Sequence, residues 1–301
     1  LAGVANLSFY WLCIWAYSGD NFMRINLAKS AGFCFGVKRA IDIAQRLALL
    51  NKKVFMLGDI VHNEEVSQKL NRLGIRKIKR LGYGRGKILL IRAHGAGRDI
   101  FAKAQKRGYK IVDATCPMVK EIHRIAKKED NKKRRVIIIG DSNHDEVLGI
   151  AGQLKTKALI IDPKRKIDVR KVKQIKKASV VVQSTQDMEK VERIRVILEK
   201  WVKDLKFFNT ICKPTRIKQK EMKNLPRESD LVLIIGSKTS ANTKRLYEIA
   251  KKINKNSYWI SNEKEIKPEW FKGINSVGIT AGASTPEETI KEVLEYLQEV
   301  R

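Results

Sequence analysis

The 301-residue sequence holds only four cysteines, and none lies close enough to another to make a CxxC pair. That excludes a disulfide-stapled scaffold and fits a reducing cytoplasm, where thiols stay available as ligands or nucleophiles. Proline is also rare, at six residues, and no Pro/Gly/Ser-rich linker or low-complexity block interrupts the chain. Acidic residues are in short supply, 32 against 62 basic ones, for a formal net charge of +30. The cations are spread through mixed runs such as AKKEDNKKRR, KRKIDVRKVKQIKK and RIKQKEMKNL, and only 7% of the residues are aromatic. This reads as solvated helix faces, not as a nucleic-acid groove. No nucleic-acid or membrane partner is expected, although a basic field of this size would draw in a small anionic substrate.

The one long apolar stretch is the first, LAGVANLSFYWLCIWAYSGDNF. It lacks the positive n-region of a signal peptide and sits near the lower limit of about 17–25 residues for a membrane span. It reads as a leader, residues 1–22, translated upstream of a true start at Met23, and Cys13 within it is discounted as a ligand.

From Met23 onward, short apolar runs alternate with amphipathic stretches. RINLA, KVFMLG, KILLIRAH, KIVDATC, RVIIIG, ALIID, SVVVQST, KFFNTIC, DLVLIIG, SYWIS and SVGITAG have the length and Val/Ile content of buried parallel strands. Val37, Ala40, Ile41, Ala44 and Leu47 recur on one helix face, DMEKVERIRVILEKWVK behaves similarly, and PEETIKEVLEYLQEV opens with a helix start. Alternation of this kind implies an α/β fold with parallel sheets. The cysteine settings divide the chain into three comparable α/β lobes, expected at residues 23–116, 117–211 and 212–301. A pseudo-threefold arrangement of these lobes would bring the cysteines together.

Cys34 (AGFCFGV), Cys116 (DATCPMV) and Cys212 (NTICKPT) each sit where a strand gives way to a helix. Ligands of α/β proteins bind at the carboxyl ends of parallel strands, so three distant thiols in such settings suggest a metal site built by the whole fold. A helix N-terminus is expected to lower a thiol pKa toward the thiolate that metals need. Iron–sulfur clusters usually take four thiolates; three would leave one iron open to substrate. His62 (DIVHNEE), His94 (RAHGAG) and His144 (SNHDEV) follow strands too, and imidazoles there can hydrogen-bond phosphate oxygens. His123, inside an amphipathic stretch, reads as structural. The loops Gln183-Ser184-Thr185, GSKTSAN with Ser240 and Asn242, and TAGASTP with Ser284 add donors at helix starts. Glu146 is the carboxylic acid best placed to deliver a proton to this cradle. A zinc hydrolase built on the three histidines would leave the cysteines unexplained, and a basic nucleic-acid-binding protein would leave the histidines unexplained.

The motifs AGFCFGVKRAI, VHNEEV, RAHGAG, DATCPMV, NHDEVLG, QST, NTIC, GSKTSANTKRL and GITAGASTPEE, in this order, closely resemble the 4-hydroxy-3-methylbut-2-enyl diphosphate reductase family, from about Met23 to the C-terminus. The resemblance implies three small parallel-sheet α/β lobes around a central 4Fe-4S cluster, with Cys34, Cys116 and Cys212 as ligands and an open apical iron. It further implies that His62, His94, His144, Ser240, Asn242 and Ser284 hold the diphosphate, that Ser184 and Thr185 lie near the allylic end, and that Glu146 supplies protons. The implied reaction is a two-electron reductive dehydroxylation giving isopentenyl and dimethylallyl diphosphates, the last step of the methylerythritol phosphate pathway. Electrons would come from a ferredoxin or flavodoxin. Ala241 stands where many members carry a second serine; its backbone N–H can still donate. Ser184 replaces a common threonine and keeps the hydroxyl.

Overall fold

A computed structural model describes residues 11–16, 23–50 and 53–299. It opens with β1 (Trp11–Ala16), β2 (Met23–Ala28) and α1 (Phe35–Leu49). A first run of alternating elements comprises β3 (Val54–Leu57), α2 (Glu64–Arg72), β4 (Arg76–Ile78), β5 (Ile88–Ile91), α3 (Arg98–Lys106), β6 (Lys110–Asp113) and α4 (Pro117–Asn131). A second comprises β7 (Arg135–Ile139), α5 (Asp145–Ala151), β8 (Leu159–Ile161), α6 (Val169–Lys173), β9 (Lys177–Val182), α7 (Met188–Trp201) and β10 (Asp204–Phe207). The chain closes with α8 (Lys213–Asn224), β11 (Leu231–Ile235), α9 (Ala241–Ile253), β12 (Ser257–Ile260), β13 (Ser276–Ala281) and α10 (Glu287–Glu299).

Three sheets result, ordered β4-β3-β5-β6, β10-β9-β7-β8 and β1-β2-β13-β11-β12. Every pairing is parallel except that of β1 with β2. The α/β expectation holds, and each of the eleven apolar runs supplies a strand. Two strands escape the pattern. β4 is three mostly exposed residues, Arg-Lys-Ile, with no apolar period to betray it. β1 lies inside the stretch set apart as a leader and runs antiparallel along β2; the rest of residues 1–22 lies outside the described residues.

The expected first lobe, 23–116, is corrected at its beginning. β2 pairs with β13 near the other end of the chain, not with β3. An apolar run reveals a buried strand, but its partner is chosen by non-local packing. Compact units follow the same division: one is continuous, residues 34–215, and contains two sheets, whereas the other joins residues 1–33 to 216–301.

Alternation along the strands covers both faces of the sheets. In the sheet centred on β7 and β9, Ile137, Ile139, Val180 and Val182 pack with Val191, Ile194 and Leu198 of α7. Val136, Ile138 and Val181 face Ile122 and Ala126 of α4 and Val147 and Ile150 of α5. In the discontinuous unit, Leu231, Leu233, Val277 and Ile279 pack with Ile290, Val293 and Leu297 of α10. Val232 and Ile234 meet Met222 and Leu225 of α8 with Leu246 and Ala250 of α9. Among the described residues no helix is long and apolar enough to cross a membrane.

The discontinuous unit also buries a cation. Lys218 on α8 is 2% exposed, and its ammonium donates to the carbonyls of Ser30, Gly32 (3.1 Å) and Ala281 (3.0 Å). Glu221, one turn on, accepts from the Ser30 hydroxyl. Burial pushes the Glu221 carboxyl up, against the opposing pull of Ser30 and Lys218. The ammonium thus meets three carbonyls, two of these bonds fully buried, and a buried unpaired carbonyl costs about 1–3 kcal/mol. Lys218→Met is expected to lower unfolding free energy by roughly 2–4 kcal/mol, read by urea denaturation; a loss below about 1 kcal/mol would show the carbonyls find other partners.

Candidate active site

The functional side chains sit where parallel strands end and helices begin. In the continuous unit, Cys34 is the N-cap residue of α1 and Cys116 that of α4, with Pro117 at the first helical position. Cys212 directly precedes α8. Backbone hydrogen bonds tie two of them to neighbouring loops: the Cys116 N–H donates to the Ala93 carbonyl (3.0 Å), and the Cys212 N–H to the Ser184 carbonyl (3.0 Å). Cys212 Sγ lies 3.1 Å from Thr215 Oγ1. A Cβ at Gly36 would overlap Cys116 Sγ, so only glycine lets the first turn of α1 lie against that sulfur. None of the three cysteines forms a disulfide.

The thiols do not behave as expected from their helix positions. Burial pushes Cys116 up, and the amides of Met118 and Val119 at the start of α4 offset this only in part. Cys212 is likewise raised by burial, with Thr215 opposing. The helix N-terminus acts in the expected direction, but desolvation wins. Cys34 adds to the rise at Cys116, and Glu146 adds to it at both Cys116 and Cys212, so the thiols and this carboxylate share one neighbourhood. Buried thiols with raised pKa values fit a bound cation, which deprotonates its ligands on binding.

The three histidines converge. His62 precedes Asn63, the N-cap residue of α2; His94 lies in the loop from β5 to α3; His144 is the N-cap residue of α5. Ring centroids are 4.4 Å apart for His62 and His94, 5.1 Å for His62 and His144, and 5.5 Å for His94 and His144. His144 Nδ1 accepts from the Glu146 N–H (3.2 Å), which leaves the proton of the neutral ring on Nε2. His62 Nε2 lies 3.8 Å from Asp145, which also holds Arg92. Burial lowers the pKa of His62 and lowers that of His94 well below the ordinary value, with His62 and His144 adding to the effect at His94. His94 Nδ1 is buried with no hydrogen-bond partner among the described residues.

Glu146, on the first turn of α5, is 1% exposed. Its two carboxylate oxygens accept from the Ser184 N–H (2.6 Å) and the Ser184 hydroxyl (2.8 Å). Ser184, expected at the allylic end of the substrate, is thus also the anchor of the acid. Thr185 Oγ1 accepts from the Gln183 amide (3.1 Å). His123 is half-buried on α4, and Gly95 packs on its ring.

In the discontinuous unit, Ser240 is the N-cap residue of α9, its hydroxyl accepting from the Thr243 N–H (3.3 Å). Ala241 opens that helix and Asn242 follows, buried, with Nδ2 lacking a hydrogen-bond partner among the described residues. Ser284 is buried in the loop after β13. β11 and β13 are neighbours, and Thr243 and Thr285 pack against Gly236 between the two loops. Gly236 has φ +145°, a backbone state that a side chain would strain.

Sequence reasoning passed over Arg92, Asp145 and Thr215. Asp145 stands between His144 and Glu146, and Arg92 two residues before His94, so proximity in sequence was the only available signal. Among the described residues, the histidines are the only group of three ligand-type side chains whose donor atoms lie within 4.8 Å of one another. The three sulfurs do not share that single-ion spacing. A cluster in which each thiolate binds its own iron does not require it.

A family model described as LytB protein matches residues 25–298. This chain belongs to the LytB family. Among its LytB relatives, the 4-hydroxy-3-methylbut-2-enyl diphosphate reductase of Aquifex aeolicus is 38% identical over 280 residues, spanning 92% of this chain and 96% of the relative. That of Geobacter sulfurreducens is 39% identical over 280 residues, spanning 92% and 98%. A solved structure of (E)-4-hydroxy-3-methyl-but-2-enyl diphosphate reductase, the terminal enzyme of the non-mevalonate pathway, is 37% identical with a TM-score of 0.69, covering 92% of this chain and 99% of that one. The reductase structure from Plasmodium falciparum is 27% identical with a TM-score of 0.83, covering 91% and 87%.

His123 gives a test of the buried imidazoles. Burial lowers its pKa from 6.5 to about 4, so the folded chain binds fewer protons than the unfolded one. Stability is therefore lost as pH falls from 6.5 toward 4, by about 3 kcal/mol at 1.36 kcal/mol per pH unit. Replacing His123 with Phe should make this acid-side decline shallower by about 2 kcal/mol between urea melts at pH 7 and pH 4.5; an unchanged decline would refute the assignment.

Proposed function

We propose that this chain is a 4-hydroxy-3-methylbut-2-enyl diphosphate reductase. The reaction is ROH + 2 electrons + 2 protons → RH + water, with isopentenyl and dimethylallyl diphosphates as products. The observation that carries the reading is one neighbourhood holding three half-buried, undisulfided cysteines and a buried glutamate, in a chain of the LytB family. Cys34, Cys116 and Cys212 would hold one 4Fe-4S cluster. Bound there, it supplies electrons at low potential and, through the iron that lacks a protein ligand, Lewis acidity toward the substrate hydroxyl.

The chain's own residues do the rest. His62 and His94, whose pKa values burial lowers, and His144 present ring N–H groups to the diphosphate. An incoming dianion or trianion would raise their pKa values and convert these contacts to charge-assisted ones. Ser240, the Ala241 amide, Asn242 and Ser284 stand after β11 and β13 and are the further donors that the family resemblance assigns to the diphosphate; Asn242 Nδ2 has no hydrogen-bond partner among the described residues. Glu146 relays the two protons, one to the departing oxygen and one to carbon, and takes up a proton from solvent before each transfer. Ser184 holds Glu146 in place and, with Thr185, lines the allylic end. Electrons come from a ferredoxin or flavodoxin, in the cytoplasm.

The histidine spacing also suits one divalent ion, the geometry a zinc hydrolase would use. Anaerobic metal analysis separates the readings. About four irons per chain with broad visible absorption supports the reductase; one zinc and no iron overturns it. Glu146→Gln is expected to retain iron and diphosphate affinity while turnover falls by about 100-fold or more. Turnover at the unmodified rate would remove Glu146 from the proton path.

A further inference from the structure

Each site cysteine is followed by exposed side chains. Phe35 is 72% exposed, Met118 is 46% exposed two residues beyond Cys116, and Lys213 is exposed directly after Cys212. Phe35 stands apart from the core face of its helix, which is Gly36, Ala40, Ile41, Ala44 and Leu47. The overlap that a Cβ on Gly36 would make with Cys116 Sγ sets the first turn of α1 against the start of α4. Phe35 and Met118 therefore stand on the two helix starts that meet at this sulfur, within one unit. Around them, Lys120 and Arg124 are neutralised by Asp113 and Glu121. Lys38, Arg39 and Lys213 form no ion pair among the described residues. The result is an apolar centre with a net positive rim, directly outside the cysteines.

We propose that this patch is the docking surface for a small, acidic one-electron carrier protein, and that the electrons of the reductive step enter here. The inference rests on the reductase reading, whose reaction takes two electrons per turnover, delivered as two single transfers that oxidise two carrier molecules. Phe35 and Met118 lie one and two residues from cysteines, so a carrier seated on them has the shortest covalent route to the metal ligands. Electron-transfer encounters use small interfaces, under about 1,200 Å², with aromatic and Met side chains enriched at the centre. A positive rim on a chain of net charge +30 steers an acidic partner in and repels a second copy of itself.

The test drives the iron-loaded enzyme with two reductants: a strongly acidic bacterial ferredoxin, and reduced methyl viologen, a small molecule that needs no docking face. The variants are Phe35→Ser combined with Met118→Ser, and Lys38→Glu alone. Ferredoxin-driven turnover should fall about ten-fold or more in the double variant, and should fall and lose salt sensitivity in Lys38→Glu. Viologen-driven turnover and iron content should stay within about two-fold. Ferredoxin-driven rates that stay within two-fold in both variants would overturn the proposal. So would an equal fall with both reductants, or a wild-type dimer that the double variant dissociates. Failure of the reductase reading itself looks different: the wild-type enzyme would then not turn over with viologen either.

Discussion

The continuous unit's chemistry depends on Ser184. Its N–H and hydroxyl are both committed to the Glu146 carboxylate, and its carbonyl receives the Cys212 N–H. A buried carboxylate is costly unless hydrogen-bonded, and these two charge-assisted bonds are what make a 1% exposed acid tolerable. One residue at the end of β9 therefore fixes both an acid and a thiol. The Cys116 N–H bond to Ala93, next to His94, does for the imidazole side what Ser184 does for the acid side. Loops at neighbouring strand ends are interlocked through their backbones, so the distances between thiol, imidazole and carboxylate are properties of the sheets and not of flexible side chains.

The same burial sets the charge state. The helix N-termini favour thiolates at Cys116, yet desolvation outweighs them, and His62 and His94 are held toward neutrality by the same effect. Burial thus favours the protonated thiol at Cys116 and Cys212 and the uncharged ring at His62 and His94. Under the proposed function, charge would arrive with the ligands: a metal to take the thiol protons, an anion to draw the imidazoles toward imidazolium. Binding of either is then coupled to proton movement, and the two bindings are electrostatically complementary.

Most of this was legible in the sequence because strand ends are legible. Val/Ile runs of four to eight residues locate parallel strands, and whatever polar residue follows such a run is delivered to the ligand-binding edge; this is how Cys34, His62, His94, Cys116, His144 and Ser184 could be named together. Three things were not legible. Arg76-Lys77-Ile78 forms β4 through its register with Phe55, Met56 and Leu57, which leaves no local period. The partner of Met23–Ala28 lies some 250 residues away, and an apolar run does not say which apolar run it will join. The thiol pKa values depend on burial, and a residue's place at a helix start gives the dipole without the desolvation that opposes it.

The division into units adds a constraint of its own. The continuous unit, residues 34–215, contains all three site cysteines, the three histidines, Glu146, Ser184 and Thr185, while Ser240, Ala241, Asn242 and Ser284 belong to the discontinuous one. The chain passes from one to the other twice, between Phe33 and Cys34 and between Thr215 and Arg216. Both crossings fall within three residues of a cysteine. Lys218 binds the carbonyls of Ser30 and Gly32 just before the first crossing and itself lies just after the second. A single buried ammonium thus fastens together the two chain segments that lead to Cys34 and away from Cys212, and the Ala281 carbonyl anchors the same ammonium to the end of β13.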